Sequence, residues 1–161
     1  MSRKCVEETD KAASSHEGHD RRATEVAGAD WREARGDQAS PTLAALGIED
    51  TAGEGHDRFL VRGDSHMLHA VFIGCGDTLR SHWGVGNLGA TLEDVLPDDL
   101  LYRFAEGCER SLMKGSPVLI DGSYHDRDGR EVLFRCTMMP VQSLGDGPDF
   151  IYGAYSHKIV A

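Results

Sequence analysis

The clearest alternation of apolar and polar positions lies in the stretch EVLFRCTMMPV, between residues 131 and 141. Its apolar side chains recur at every second position and polar ones lie between them: Val132, Phe134, Cys136 and Met138 against Glu131, Arg135 and Thr137. Leu133 is the one apolar residue on the polar side. A strict period of two predicts a half-buried β-strand.

The polar stretch HDRDG, residues 125–129, comes directly before this strand and combines two aspartates with a histidine. It could be a metal site or a turn. Asp128-Gly129 is a preferred pair for a tight hairpin turn, because glycine accepts a positive φ. A calcium loop would need its glycine later and a closing glutamate, and both are missing here. The sequence therefore predicts a turn and no metal site.

A long amphipathic helix is predicted over residues 98–114. Its apolar positions repeat at intervals of three and four residues: Leu101, Phe104, Cys108 and Leu112. Asp98 and Asp99 suit the positive end of the helix dipole, and Gly115 suits its C-terminal cap. Phe134, Cys136 and Met138 are expected to lie under this apolar face.

The remaining patterns predict four more strands, at residues 58–62, 66–73, 117–125 and 149–160, with short helical pieces between 74 and 97. This order predicts an α+β fold, a five-stranded antiparallel sheet with helices on one face. Three parts are expected along the chain: a flexible or partly helical tail over 1–30, a helical and loop cap over 31–56, and a compact domain over 57–161.

Composition narrows the classes of function. The 161 residues are 40% hydrophobic, which is enough for one core, and carry a formal net charge of −10. That charge argues against nucleic acid and anionic membranes as partners. No apolar run approaches the roughly 20 residues that span a bilayer, and the N-terminus has no signal-peptide pattern, so a cytoplasmic protein is expected. The scattered cysteines are expected to be free thiols, three of them in the core: Cys5, Cys75, Cys108 and Cys136.

Four stretches together resemble a PAS domain, closest to small bacterial PAS-like proteins that often stand alone: IGCGDTLRSHWG, NLGATLEDVLPDDLLYRFAEGCERSLMKGSPV, DRDGREVLFRCTMMPV and IYGAYSHKI. The resemblance implies a sensory or interaction module that binds a small apolar molecule between sheet and long helix, or signals through protein contacts alone. The pocket residues it implies are Trp83, Leu88, Leu101, Phe104, Cys108, Phe134, Cys136 and Met138.

Departures from known PAS subclasses argue against a cofactor. The flavin-binding type carries an Asn-Cys-Arg-Phe-Leu-Gln stretch that this chain lacks. The haem-binding type often uses a histidine on the long helix, and residues 98–114 contain none. No cofactor is therefore predicted. The glycine pattern GVGNLG, residues 84–89, is preceded by a poor strand and is a weak dinucleotide signature.

Three functions compete at this stage. A non-catalytic sensor acting through protein contacts comes first, and the alternatives are a small-molecule enzyme or a haem or flavin sensor using the same pocket. An enzyme needs a buried acid or histidine facing the pocket, and the apolar face of residues 131–141 offers none. The histidines are interpreted as lying at strand edges or in solvent: His66, His69, His82, His125 and His157.

A contact surface is predicted from apolar residues that the core does not explain: Val26, Trp31, Leu133, Tyr152 and Tyr155. The expected partner is a second copy of the chain, giving a homodimer, or a signalling protein. Trp31 is the expected anchor. The alternative is that Trp31 folds back over its own sheet.

Overall fold

The computed structural model describes residues 8–47, 57–63, 66–86, 89–143 and 149–160, with side chains from residue 21 onward. The elements follow in the order α1 (Glu8–Arg35), α2 (Leu43–Leu46), β1 (Arg58–Gly63), β2 (Val71–Cys75), α3 (Asp77–Trp83), α4 (Leu92–Val95), α5 (Asp98–Lys114), β3 (Val118–His125), β4 (Glu131–Val141) and β5 (Asp149–Ile159).

The five strands form one sheet in the order β2-β1-β5-β4-β3, and every neighbouring pair is antiparallel. The predicted α+β class and five-stranded antiparallel sheet are thus confirmed. The predicted turn between β3 and β4 is also confirmed: Gly129 has a φ of 81°. The Asp126 carboxylate accepts hydrogen bonds from the backbone N–H groups of Asp128 and Arg130, at 3.0 and 2.9 Å.

The long helix α5 begins and ends where the sequence predicted, with Gly115 in the left-handed conformation as its C-terminal cap. It packs on the inner face of the sheet, which is the face that carries the alternate residues of β4. One buried cluster contains both apolar sets, Leu101, Phe104 and Cys108 from α5 with Phe134, Cys136 and Met138 from β4, and Leu112 packs partly buried against it. The predicted packing of β4 under the helix is therefore confirmed.

The second predicted strand is wrong at its start. Residues 66–69 were expected to be extended, but Met67–His69 form a turn of 3₁₀-helix and β2 begins only at Val71. Met67 and Ala70 are fully buried. The Met67 N–H donates to the Glu109 carboxylate of α5 at 3.0 Å. This segment is thus tied to the long helix, and its backbone does not join the sheet.

The N-terminal helix α1 covers the outer face of the sheet, opposite α3, α4 and α5. It runs unbroken through residue 30, where the sequence suggested a boundary between tail and cap. Trp31 is 3% exposed, and its indole N–H donates to the Pro140 carbonyl at 2.8 Å. A second buried cluster forms beneath the helix: Ala27, Trp31, Leu60, Met139, Val141, Phe150, Tyr152 and Ala154.

This packing corrects the predicted contact surface. Trp31 folds back over its own sheet, and Tyr152 and Tyr155 are buried within the same chain on opposite faces. With α1 docked, Trp31 and Tyr152 are covered on the outer face, and Tyr155 is enclosed in the core on the inner face. Only Val26 and Leu133 of the predicted set are exposed, at 41% and 40%.

The three cysteines within the described residues, Cys75, Cys108 and Cys136, are free and buried, as predicted, and Cys5 lies outside those residues. Across the described parts of the chain, no helix has the length and apolar character needed to cross a membrane.

Candidate functional site

Three polar rings meet on the inner face of the sheet. His82 comes from α3, Tyr124 from β3 and Tyr155 from β5. The two phenol oxygens lie 2.6 Å apart, and His82 Nε2 lies 3.2 Å from each of them. Both tyrosines are almost fully buried. We call these three residues the polar triad.

Counting protons fixes the state of the polar triad. One phenol O–H can donate to the other phenol oxygen, and the second O–H then needs an acceptor. Neutral His82 with its proton on Nδ1 supplies that acceptor at Nε2, so both phenol protons are satisfied. A protonated His82 would leave one buried O–H without an acceptor, which is costly.

A second imidazole stacks on the first. The rings of His82 and His157 lie 3.5 Å apart between centroids, at 15° to each other. Burial, reinforced by the proximity of His157, lowers the pKa of His82 to about 4. Burial also raises the pKa values of Tyr124 and Tyr155. All members of the polar triad are therefore neutral near pH 7.

Trp83 follows His82 on α3 and fixes this short helix in the core. Its ring lies 4.6 Å from that of Tyr155 and 5.5 Å from that of Phe72, between centroids. Trp83 is 7% exposed, and its buried Nε1 has no hydrogen-bond partner. The indole N–H lies close to the hydroxyls of Tyr124 and Tyr155 and offsets part of the rise that burial causes in their pKa values.

A small cavity of about 110 Å³ opens beside these rings. It is lined by His82, Trp83, Val95, Pro97, Tyr124, residues 126–128 and Arg130. We call the hairpin residues 126–128 and Arg130 its mouth. The mouth carries two carboxylates, Asp126 and Asp128, and two guanidinium groups, Arg127 and Arg130, so its formal charges balance. Arg130 Nε pairs with the Asp126 carboxylate at 2.9 Å, and Arg130 also lies 3.6 Å from Asp128. Arg127 donates to the carbonyls of Asp94 and Leu96 at the end of α4.

A second, larger cavity of about 460 Å³ lies along the loop after α3. It is lined by residues 84–86, 89, 90, 94 and 95. Its wall is mostly backbone and small side chains, so it offers little chemistry. Among the described residues, no group of three or more His, Cys, Asp or Glu side chains is placed to hold a metal ion.

The described residues of the predicted pocket divide between the small cavity and the buried core. Trp83 lines the small cavity, but Leu101, Phe104, Cys108, Phe134, Cys136 and Met138 pack against one another in the core and line neither cavity. Leu88 lies outside the described residues. These apolar residues therefore stabilise the fold, and the polar side chains of the triad lie at one end of the helix–sheet interface.

Sequence reasoning missed the polar triad. His82 and His157 were interpreted as edge or solvated residues, and the apolar face of β4 carries no histidine. The histidine comes instead from α3, 42 residues before Tyr124 and 73 before Tyr155. One available signal was the period-two register of β3, which places Tyr124 opposite Val132 on the inner face.

A second polar contact lies on the outer face and joins α1 to the sheet. The Arg58 guanidinium lies 3.2 Å from the Asp30 carboxylate of α1 and 3.5 Å from that of Asp57. It also donates to the Tyr152 hydroxyl and lies 5.8 Å from the centre of the Tyr152 ring. We call the contact of Arg58 with Asp30 and Tyr152 the outer latch.

Comparisons with known proteins identify similar structures only. No protein-family model matches the chain, and no curated protein sequence matches it. Solved structures that resemble it include a light–oxygen–voltage protein of Rhodobacter sphaeroides, with 14% identity, a TM-score of 0.47 and coverage of 66% of this chain and 61% of that one. Another is the PAS-B domain of Cycle from Drosophila melanogaster, with 10% identity, a TM-score of 0.44 and coverage of 63% and 99%.

A third is the PAS domain of an HTR-like protein from Haloarcula marismortui, with 16% identity, a TM-score of 0.41 and coverage of 63% and 86%. All three belong to the class of domain that the sequence motifs resemble. At these TM-scores and identities, the similarity does not assign the chain to a family. The PAS-like interpretation rests on the chain's own helices and strands and on the order of strands in its sheet.

Proposed function

We propose that this chain is a non-catalytic, PAS-like sensory module, in which the polar triad is the sensing site and α1 is the output element. The observation that carries the proposal is the placement of two tyrosines on β5. Tyr155 belongs to the polar triad on the inner face, and Tyr152, three residues earlier, belongs to the outer latch. A shift of β5 caused at the triad would therefore reach the latch directly.

The chemistry of the triad favours sensing over catalysis. A general base works best with a pKa near the operating pH, whereas burial lowers the pKa of His82 to about 4. The phenols have raised pKa values and are not poised as nucleophiles or bases. His82 does line a cavity, which an enzyme would require. However, no group of the triad has a pKa near neutral pH, as a general acid or base would need.

The size of the cavity favours a small ligand. Pockets for drug-sized molecules and cofactors have volumes of roughly 300–1,000 Å³. The cavity beside the triad has about 110 Å³, which is too small for haem or flavin without opening the core. We therefore propose that the site takes no large cofactor.

Release of α1 is the proposed output. The helix covers an apolar surface that includes Leu60, Met139 and Phe150. Exposed apolar patches of this kind mark contact surfaces. We propose that a second copy of the chain binds this surface when α1 is released, so that the protein signals by changing its association.

Hydrogen exchange tests the link between triad and helix. Tyr155→Phe removes one hydroxyl from the triad and leaves the ring in place, and we expect faster amide exchange in the docked part of α1, residues 24–35, than in wild type. Tyr102→Phe is the matched control, because Tyr102 is 64% exposed on α5. Equal exchange of α1 in the two variants, with α5 equally protected, would overturn the proposal.

A further inference from the structure

The polar triad has no acceptor to spare for an added proton. With neutral His82, one phenol O–H donates to the other phenol oxygen and the second donates to His82 Nε2. A proton added at Nε2 turns this atom from an acceptor into a donor. The two phenols cannot donate to each other at once, so one O–H then loses its acceptor. Because Tyr124 and Tyr155 are both buried, that loss is costly.

The groups that face His82 oppose its protonation on balance. The phenols of β3 and β5 are its hydrogen-bond partners, and His157 of β5 stacks on its ring at 3.5 Å. From the hairpin, the Asp126 carboxylate favours a charged imidazole and the Arg130 guanidinium disfavours it, and these two groups pair with each other. The charged hairpin residues that line the cavity beside the ring are Asp126, Arg127, Asp128 and Arg130. A proton from solvent therefore reaches His82 through a mouth whose formal charges balance.

The short helix α3 is built to move as a unit when the triad opens. Glycines bound it at both ends, with Gly76 as its N-terminal cap and Gly84, in the left-handed conformation, as its C-terminal cap. Leu79 and Trp83 are its buried side chains, and His82 supplies its polar contact with β3 and β5. Loss of the triad therefore leaves two apolar side chains to hold the helix against the sheet.

We propose that the proton is the input to the polar triad: protonation of His82 Nε2 opens the triad, loosens α3 and thereby releases α1. The chain is then an acid sensor. This inference rests on the function proposed above, since it names the stimulus of the same sensing site.

The size of the response follows from the two states of His82. In the closed triad its pKa is about 4, and an imidazole freed from the triad regains the ordinary value of 6.5. A proton thus binds the open form more tightly, so acid shifts the population toward that form. Lowering the pH from about 8 to about 5 raises the ratio of open to closed molecules by at most about 30-fold.

The two tryptophans of the chain report on the two ends of this switch. Trp83 follows His82 on α3, and Trp31 holds α1 through its hydrogen bond to the Pro140 carbonyl. The uniformly ¹⁵N-labelled full chain is titrated from a pH of about 8 to about 4.5, and Trp31→Phe assigns the two indole N–H signals. We expect both signals to change together below pH 6.5, with the Trp31 signal moving toward its position in the unfolded chain.

Two variants separate the triad from the outer latch. His82→Gln keeps an acceptor but takes up no proton, so we expect both indole signals to stay fixed over this range. Asp30→Asn removes the carboxylate of the latch, whose loss of charge in acid would also weaken the hold on α1, and we expect this variant to keep the wild-type response. If His82→Gln does not fold, the imidazole ¹⁵N signals of wild type replace it, because the Trp83 signal must change together with one histidine that titrates below the others.

Three results would overturn the proposal. The first is a Trp83 signal that acid leaves unmoved, or moves equally in His82→Gln. The second is an acid response that Asp30→Asn abolishes and His82→Gln retains, which would make the latch the acid-sensitive group. The third is simultaneous collapse of all amide signals, which would mean that acid unfolds the whole domain. A Trp83 signal that responds through His82 while the Trp31 signal stays fixed supports the proton as input and contradicts the proposed release of α1, so the two failures are distinguishable.

Discussion

His82 and His157 stack face to face, with ring centroids 3.5 Å apart, and His82 Nε2 lies 3.2 Å from each of the buried phenol oxygens. A stack of two imidazoles tolerates two neutral rings and disfavours two charged ones. Burial and the neighbouring imidazole lower the pKa of His82, so His82 resists protonation and acid should loosen the attachment of α3 to the sheet.

The pH dependence of stability follows from this resistance. The pKa of His82 is about 4 in the folded chain and 6.5 when unperturbed. A lowered pKa means that the unfolded chain binds the proton more tightly, so stability is complete above pH 6.5 and is lost as the pH falls from there toward about 4. Asp99 and Asp126 have pKa values below their ordinary 3.8, so their contributions are lost only at lower pH.

We therefore expect the melting temperature of wild type to fall between pH 6.5 and about 4, as His82 takes up a proton. His82→Gln, which keeps an acceptor but does not titrate, should flatten that part of the profile. His66→Gln removes an exposed imidazole and serves as the control. If His82→Gln leaves the pH dependence of the melting temperature unchanged, the acid sensitivity comes from another group.

Phe134 and Leu133 are neighbours on β4 and give a paired test of the strand register. Phe134 is 4% exposed beneath α5, and Leu133 is 40% exposed on the outer face. Phe134→Ala should lower the free energy of unfolding by about 3–5 kcal/mol, and Leu133→Ala by less than about 1 kcal/mol. Urea unfolding measures both, and similar losses for the two variants would contradict the register.

Gly153 permits the close approach of β5 to its neighbours. A Cβ atom at this position would overlap the Thr137 carbonyl oxygen and the Phe59 ring. Gly153→Ala should therefore prevent native pairing in the centre of the sheet. Gly86→Ala is the control, since a Cβ atom there meets nothing within 4 Å. Thermal unfolding compares them, and a Gly153→Ala chain as stable as the control would be inconsistent with this packing.

Trp31 anchors α1 to the outer face. Trp31→Ala removes the buried ring and the hydrogen bond to Pro140, so we expect α1 to detach and the uncovered apolar surface to promote self-association. Light scattering should show a larger mass for this variant than for wild type at equal concentration. Val26→Ala, at an exposed position of the same helix, should leave the mass unchanged. A variant that detaches α1 yet stays monomeric would refute the proposed role of a second copy.

Local patterns predicted the elements whose signals lie within one segment. The three- and four-residue spacing of α5 and the period of two in β4 both identify the buried face correctly, because each element buries one regular stripe against the core. The turn at Asp128-Gly129 was equally predictable, because a tight turn depends only on residues that are neighbours in the sequence.

Such local patterns could not predict the polar triad. His82 lies on a helix of seven residues, which is too short to show a period, and its partners belong to strands far along the chain. The docking of α1 on its own sheet was predicted only as an alternative, for another reason. Its contact face includes small residues such as Thr24, Ala27 and Gly28, which let the helix approach the sheet closely but give a weak apolar signal in the sequence.

The most direct test of the central claim is a double-mutant cycle between the two tyrosines of β5. Tyr155→Phe perturbs the polar triad, Tyr152→Phe perturbs the outer latch, and urea unfolding gives the free energies of the single and double variants. The side chains face opposite sides of the sheet, so uncoupled effects should add within about 0.5 kcal/mol.

We expect a coupling energy above about 0.5 kcal/mol for this pair, and none for a control cycle of Tyr102→Phe with Tyr152→Phe. Additive effects in both cycles would contradict communication between the triad and the N-terminal helix through β5.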